Sequence, residues 1–294
     1  LATPSMGQSP LPHFSIENPD ATLKDAFVEQ RRLVKQEIKQ IGGFKGGAVS
    51  ANAKKWFKSD KPMSGVLPEH GWIRAGKPLS IAHKDNRVLE VEIGFIIGRE
   101  VTRPLADAEE ARSIISEIVP AVEMPLNRVG RNGEMLFRDF IAANVGADQY
   151  LVGKPFEKGI DVDGIKISLS RDGVELTTAV GSTADGGQWD NVVFQVNKAL
   201  EQGYEVEKGQ IIMTGSLGKI VPAELGDYVA RYDGHSDISF SITEQCAFSA
   251  TEVFKGGRVN SVQAHDYDGD GLKDLIYVAD KKLYLAFGPR YEKL

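Results

Sequence analysis

Arg87-Val88-Leu89-Glu90-Val91-Glu92-Ile93-Gly94-Phe95-Ile96-Ile97 is the stretch from which the fold class is read. Val88, Glu90, Glu92 and Gly94 alternate with Leu89, Val91, Ile93 and Phe95, the period-two pattern of a β-strand with one apolar and one acidic face. Residues two apart on a strand project to the same side, so the Glu90 and Glu92 carboxylates sit roughly 6–7 Å apart. Two carboxylates that close repel unless a cation or a proton lies between them. Two readings stand: the solvated face of an edge strand, or one wall of a cation site.

Working outward, strand patterns recur at Leu79–Ile81, Ala121–Met124, Gln210–Thr214, Tyr228–Tyr232 and Ile238–Ile242, and residues 160–180 alternate as a hairpin around Arg171-Asp172-Gly173. Three helices are expected between them. Thr22 and Asp25 form a capping box that opens a helix with Leu23, Phe27, Val34, Ile38 and Ile41 on one stripe, stopped by Gly42-Gly43. Asp107 caps a second through Ala111, Ile114, Ile115 and Ile118, ended by Pro120. Trp189, Val192, Val193, Val196 and Leu200 stripe a third that stops at Gly203. The expected class is α+β, dominated by β.

Glu123 stands in the apolar run Ile118–Met124, where an unpaired carboxylate is costly to bury. Three carboxylates without a companion Cys or His suit a hard divalent ion, Mg²⁺ or Mn²⁺, that keeps positions open for water and substrate. A nearby Lys45 or Arg128 is the alternative partner.

Composition sets the limits. The 294 residues, with 41% hydrophobic and 26% charged residues, are globular values. A net charge of -6, from 35 Lys+Arg against 41 Asp+Glu, argues against nucleic acid as a partner. The single Cys246 excludes an internal disulfide and a cysteine-rich zinc site. No run approaches the ~18 apolar residues of a membrane span. Residues 1–21, with Pro4, Pro10, Pro12 and Pro19, read as an extended arm, 22–242 as the main domain and 243–294 as an appendage.

Gly43-Phe44-Lys45-Gly46-Gly47, Glu90-x-Glu92 leading into Ile93–Arg99, Ala121-Val122-Glu123, Ile141–Asn144 and Met213-Thr214-Gly215-Ser216-Leu217 occur in this order. In that order they resemble the 2-keto-4-pentenoate hydratase and oxalocrotonate decarboxylase branch of the fumarylacetoacetate hydrolase superfamily, over roughly residues 22–242. The resemblance implies a mixed β-barrel or roll with flanking helices. It implies Mg²⁺ or Mn²⁺ on Glu90, Glu92 and Glu123, and a small 2-oxo acid or its dienol as substrate, transformed through a metal-stabilised enolate. Lys45 matches the family's acid/base lysine, expected on a loop with its ammonium value lowered beside the ion. Ser216 and Thr214 match a carboxylate-binding turn, and Arg128 and Asn144 match polar ligand-contacting positions.

Two departures bear on the reaction. Family hydratases usually carry an acidic residue after a proline where this chain has Pro62-Met63-Ser64-Gly65, and often a proline where it has Gly187-Gln188-Trp189. Met63 cannot move a proton, so hydration competes with decarboxylation or tautomerisation as the expected step. None of the five histidines has a glutamate three residues on, which disfavours the superfamily's carbon–carbon hydrolysis. A non-catalytic binding or structural protein that retains the barrel is the reading from another class.

Asp266, Asp268, Asp270 and Asp274 occupy positions 1, 3, 5 and 9 of a calcium-type loop, with Gly271 at 6 and the Leu272 carbonyl at 7. Position 12 is Tyr277, so this is no standard EF-hand; it resembles the loops of integrin-type propeller repeats, implying Ca²⁺. The expected setting is a homo-oligomer, with a periplasmic or exported location favoured over a cytoplasmic one.

Overall fold

In the computed structural model, which describes residues 10–73, 79–81, 86–129, 134–244, 259–265, 274–279, 282–287 and 292–293, Thr22 opens the first long helix. Its hydroxyl accepts the Asp25 N–H while the Asp25 carboxylate takes the Thr22 N–H at 2.8 Å, a complete capping box. The helices are α1 (Phe14–Glu17), α2 (Leu23–Glu37), α3 (Ala51–Phe57), α4 (Ala108–Ile114), α5 (Phe137–Ala142) and α6 (Gly187–Glu201). The strands before residue 150 are β1 (Ile41–Gly47), β2 (Met63–Pro68), β3 (Trp72–Ile73), β4 (Leu79–Ile81), β5 (Val88–Ile97), β6 (Ile115–Met124) and β7 (Gln149–Val152). They are followed by β8 (Lys166–Arg171), β9 (Val174–Val180), β10 (Ile211–Met213), β11 (Val221–Pro222), β12 (Gly226–Tyr232) and β13 (Ile238–Glu244).

By backbone proximity the chain divides into two compact units, Leu1–Glu244 and Gln245–Leu294. The first holds an eight-stranded sheet in the order β2-β1-β10-β5-β6-β7-β3, with β11 on β5, and a five-stranded sheet β4-β13-β12-β8-β9. The larger sheet curls into a half-barrel: a Cβ on Gly42 in β1 would lie 2.4 Å from the Tyr150 hydroxyl in β7, so only glycine permits this approach. Its outer face, with Leu89, Val91, Ile93, Phe95 and Ile97, packs into the main core with Val192 and Val196 of α6 and Tyr228 and Ile242 of the second sheet. The β8–β9 hairpin turns on Asp172 and Gly173, both at positive φ, as the Asp-Gly pair requires.

Several expectations are corrected. The first helix stops at Glu37 and Ile38 is extended; Ile41, Gly42 and Gly43 belong to β1, because pairing with β2 and β10 satisfies their backbone. The second helix stops at Ile114, and Ile115, Ile118 and Pro120 lie in β6. Pro120 is tolerated mid-sheet because its partner Ile93 turns its carbonyl away toward Thr214, so no ladder bond from residue 120 is needed, and the Pro120 carbonyl accepts Gly153 N–H at 2.9 Å. The solvated-edge reading of Glu90-x-Glu92 is excluded: β5 lies between β10 and β6, and both side chains are buried. The N-terminal arm is extended only in part. Residues 14–17 form α1, pinned where Ser15 donates its N–H and hydroxyl to the two Asp139 oxygens at 2.6 and 2.8 Å.

The second unit holds the antiparallel sheet β14 (Val259–His265), β15 (Asp274–Ala279), β16 (Lys282–Phe287) and β17 (Glu292–Lys293) in sequence order. Asp266, Asp268, Asp270 and Leu272 lie outside the described residues; Asp274 opens β15 and is buried.

Candidate active site

Strand register gathers the site on the inner face of the curled sheet. Glu90 pairs with Glu123 and Glu92 with Ala121 across β5–β6; Lys45 pairs with Met213 across β1–β10 and with Gly65 across β1–β2. Cross-strand partners share a face, so Glu90, Glu92, Glu123 and Lys45 all point inward. Each of the three glutamates offers an oxygen, and these atoms lie within 4.8 Å of one another. Lys45 reaches them across Gly65, where an added Cβ would stand 3.2 Å from the lysine Cδ and 2.8 Å from the Asn144 carbonyl. Its Nζ lies 2.7 Å from Glu123 Oε2 and 3.4 Å from the Val145 carbonyl.

Burial makes this cluster electrostatically demanding. Lys45 is 2% exposed, Glu90 7%, and Glu92 and Glu123 0%. Gly215 donates its N–H to Glu92 Oε2 at 2.8 Å, yet among the described residues no hydrogen-bond donor reaches Glu92 Oε1 or Glu123 Oε1. With one ammonium facing three carboxylates, full ionisation leaves two unbalanced negative charges in a low-dielectric interior.

The titration shifts follow. Burial raises Glu90 against the pull of Lys45. Burial and the Glu123 charge raise Glu92 well above its ordinary value despite Lys45 and the Gly215 N–H. Burial pushes Glu123 up to about 7, with Lys45 opposing and Glu90 adding. Burial presses Lys45 down, but Glu123, then Glu90 and Glu92, outweigh it and hold the ammonium above its ordinary value. The loop placement expected for Lys45 is corrected: it is a buried strand residue whose ammonium is stabilised by its carboxylate neighbours. A divalent cation fits this donor set in charge and chemistry, since it would balance the carboxylate charge that burial disfavours.

The other expected site residues have these partners within the protein. The Arg128 guanidinium forms a two-pronged ion pair with Glu37, at 2.6 and 2.8 Å. Asn144 uses both amide atoms on the Val66 backbone, accepting its N–H and donating to its carbonyl at 2.8 Å each. The buried Thr214 hydroxyl bonds Gln188 Oε1 at the base of α6. Ser216, half-buried, follows the Gly215 anchor of Glu92 and donates to the Gly218 carbonyl at 3.3 Å. Met63 is buried among Val145, Ile141 and Ala142.

Two backbone contributors were not anticipated, the Val145 carbonyl and the Gly215 N–H. Asn144 and Val145 both sit at positive φ, 54° and 53°, a strained conformation for a β-branched residue, and this turn presents the Val145 carbonyl to Lys45. Asn144-x-Gly146 is a turn signal that would have marked it. The Gly215 N–H acts through backbone alone, which side-chain identity does not reveal.

A family model described as Fumarylacetoacetate (FAA) hydrolase C-terminal matches residues 26–245, and the chain belongs to that family. It is 27% identical over 216 residues to the 2-keto-4-pentenoate hydratase of Paraburkholderia xenovorans (strain LB400), covering 71% of this chain and 79% of the relative. It is 22% identical over 235 residues to a 4-oxalocrotonate decarboxylase of Pseudomonas sp. (strain CF600), covering 78% and 89%. The fold matches that of 4-oxalocrotonate decarboxylase from Pseudomonas putida G7, complexed with magnesium and adipate, with a TM-score of 0.71 at 20% identity, covering 80% of this chain and 91% of the other.

Proposed function

We propose that residues 22–242 form a divalent-metal-dependent lyase, a hydratase or decarboxylase of a small 2-oxo acid or its dienol. The observation that carries this reading is the buried Glu90–Glu92–Glu123 cluster, three carboxyl groups facing one lysine, in a chain whose relatives are such hydratases and decarboxylases. Mg²⁺ or Mn²⁺ held there would stabilise the enolate oxygen of a 2-oxo acid. Lys45 is the group placed to deliver or take a proton beside it, steadied by Glu123 and the Val145 carbonyl. Met63, packed among apolar side chains, cannot itself carry a proton, so hydration and decarboxylation are both assayed.

The experiment is consumption of 2-hydroxypenta-2,4-dienoate and of an oxalocrotonate-type acid, with Mg²⁺ or Mn²⁺, by wild type and Glu123→Ala. Metal-dependent turnover lost in the variant supports the lyase; no consumption of either acid by wild type refutes it. The spacing of Asp266, Asp268, Asp270, Leu272 and Asp274 separately supports Ca²⁺ binding by the C-terminal appendage, 243–294, which calorimetric titration with Ca²⁺ tests.

A further inference from the structure

Tyr232 belongs to β12 of the second sheet, yet its hydroxyl sits in the ladder of the two strands that carry the glutamates. The side chain is fully buried, its ring 5.7 Å from that of Phe156. The hydroxyl lies 2.6 Å from the Ala121 carbonyl, 2.9 Å from the Glu92 carbonyl and 3.2 Å from the Ala121 N–H. Glu92 and Ala121 are register partners, and at such a rung antiparallel strands bond backbone to backbone. Here a group from another sheet shares the rung. It accepts the Ala121 N–H, and its one proton serves one of the two carbonyls at a time.

We propose that Tyr232 is a positioning residue of the divalent-cation site, its hydroxyl setting the spacing of β5 and β6 at Glu92 and thereby the separation of the Glu92 and Glu123 carboxylates. This rests on the metal reading above. Glu123 is two residues beyond Ala121 on the same inner face, and Glu90 is its partner across the rung. A change in strand spacing at residue 121 therefore passes to all three ligands. Glu92 is held twice, its side chain by the Gly215 N–H and its main chain by Tyr232. A small hard cation tolerates ligand displacements of only ~0.2 Å, and losing an outer support of this kind typically weakens metal affinity about 10–100-fold.

Tyr228 supplies the control. It is equally buried in the same strand, but its hydroxyl donates to the Glu224 carbonyl at 2.8 Å and accepts the Glu224 N–H at 3.1 Å, rather than bonding the backbone of β5 or β6. Mn²⁺ binding by the full chain is measured calorimetrically for wild type, Tyr232→Phe and Tyr228→Phe, with circular dichroism reporting the fold. The expected result is at least a roughly tenfold weaker Kd for Tyr232→Phe and a wild-type Kd for Tyr228→Phe. A folded Tyr232→Phe within twofold of wild type overturns the proposal, as does an equal loss in both variants. Wild type that binds no Mn²⁺ overturns the metal reading itself, and this proposal with it. A second measurement needs no variant: in protein carrying ¹³C at the tyrosine ring carbon bearing oxygen, the signal of a buried tyrosine shifts as Mg²⁺ fills the site. A spectrum in which no tyrosine signal moves at saturating Mg²⁺ overturns the coupling.

Discussion

Removing metal should make the stability of this protein depend on pH in a direction set by the glutamate cluster. Glu123 is pushed from an ordinary 4.5 up to about 7. A carboxyl raised in the folded state favours folding fully below its unfolded value, and that contribution is lost as pH rises through the folded value. At 1.36 kcal/mol per pH unit the loss for Glu123 is ~3 kcal/mol, complete a little above pH 7. Glu90 and Glu92 are shifted the same way. Asp25 and Glu110 are lowered instead, so their contributions fade only below their ordinary 3.8 and 4.5, outside a window of pH 5–8. A loss of ~3 kcal/mol corresponds to a fall in Tm of roughly 5–10 °C for a chain of this size. Magnesium at a hundred times its Kd returns about 2.7 kcal/mol, nearly the amount lost. Differential scanning calorimetry at pH 5, 6, 7 and 8, in EDTA and in MgCl₂, measures both. Tm in EDTA should fall across the series, the two curves should separate as pH rises, and Glu123→Gln should flatten the EDTA curve. Parallel curves, or a metal-free Tm that is flat from pH 5 to 8, would refute the charge argument.

Other outcomes follow from individual contacts. Lys45→Met leaves three buried carboxylates without their ammonium, so the metal-free protein should lose about 3–5 kcal/mol at pH 8 in chemical denaturation, and turnover should vanish even when metal is bound. Asn144→Ala strips both partners from the Val66 backbone and should cost about 1–3 kcal/mol, with kcat falling as the Val145 turn loosens. Gly65→Ala places a Cβ against the Asn144 carbonyl and the Lys45 stem; steady-state kinetics should show a lowered kcat with Mn²⁺ affinity retained. Arg128→Ala breaks a partly exposed pair with Glu37, should cost no more than about 1 kcal/mol, and should leave Mn²⁺ binding unchanged; a raised KM would assign Arg128 to substrate binding, and an unchanged KM to the Glu37 pair alone.

Much of the site was legible because its chemistry is written in types and spacing. Glu90-x-Glu92 is a same-face pair on any strand, and Glu123 in an apolar run has to be compensated wherever it lies. Glu-x-Glu alternation does not reveal how many strands flank it, so the solvated edge was an equally good local reading of a strand that proves central. The protein partners of Asn144 and Thr214 were not legible for a related reason. An amide or hydroxyl has the same capacity toward a ligand as toward a buried backbone, and only packing shows that Val66 and Gln188 are bonded to them.

By itself the sequence determined the elements with strong local signals: the Thr22–Asp25 capping box, the Asp172-Gly173 hairpin, the α6 stripe, and the carboxylates available for a cation. Tertiary structure decided where local preference was weak or overruled. It drew Ile41–Gly43 and Ile115–Pro120 into strands, because a curled sheet satisfies their backbone in partners far along the chain. It brought Lys45 against Glu123, and Tyr232 against the rung between Glu92 and Ala121, across 78 and more than 100 residues of sequence. Such long-range contacts arise only when sheets close on one another, and the charge balance of the site exists only at that point.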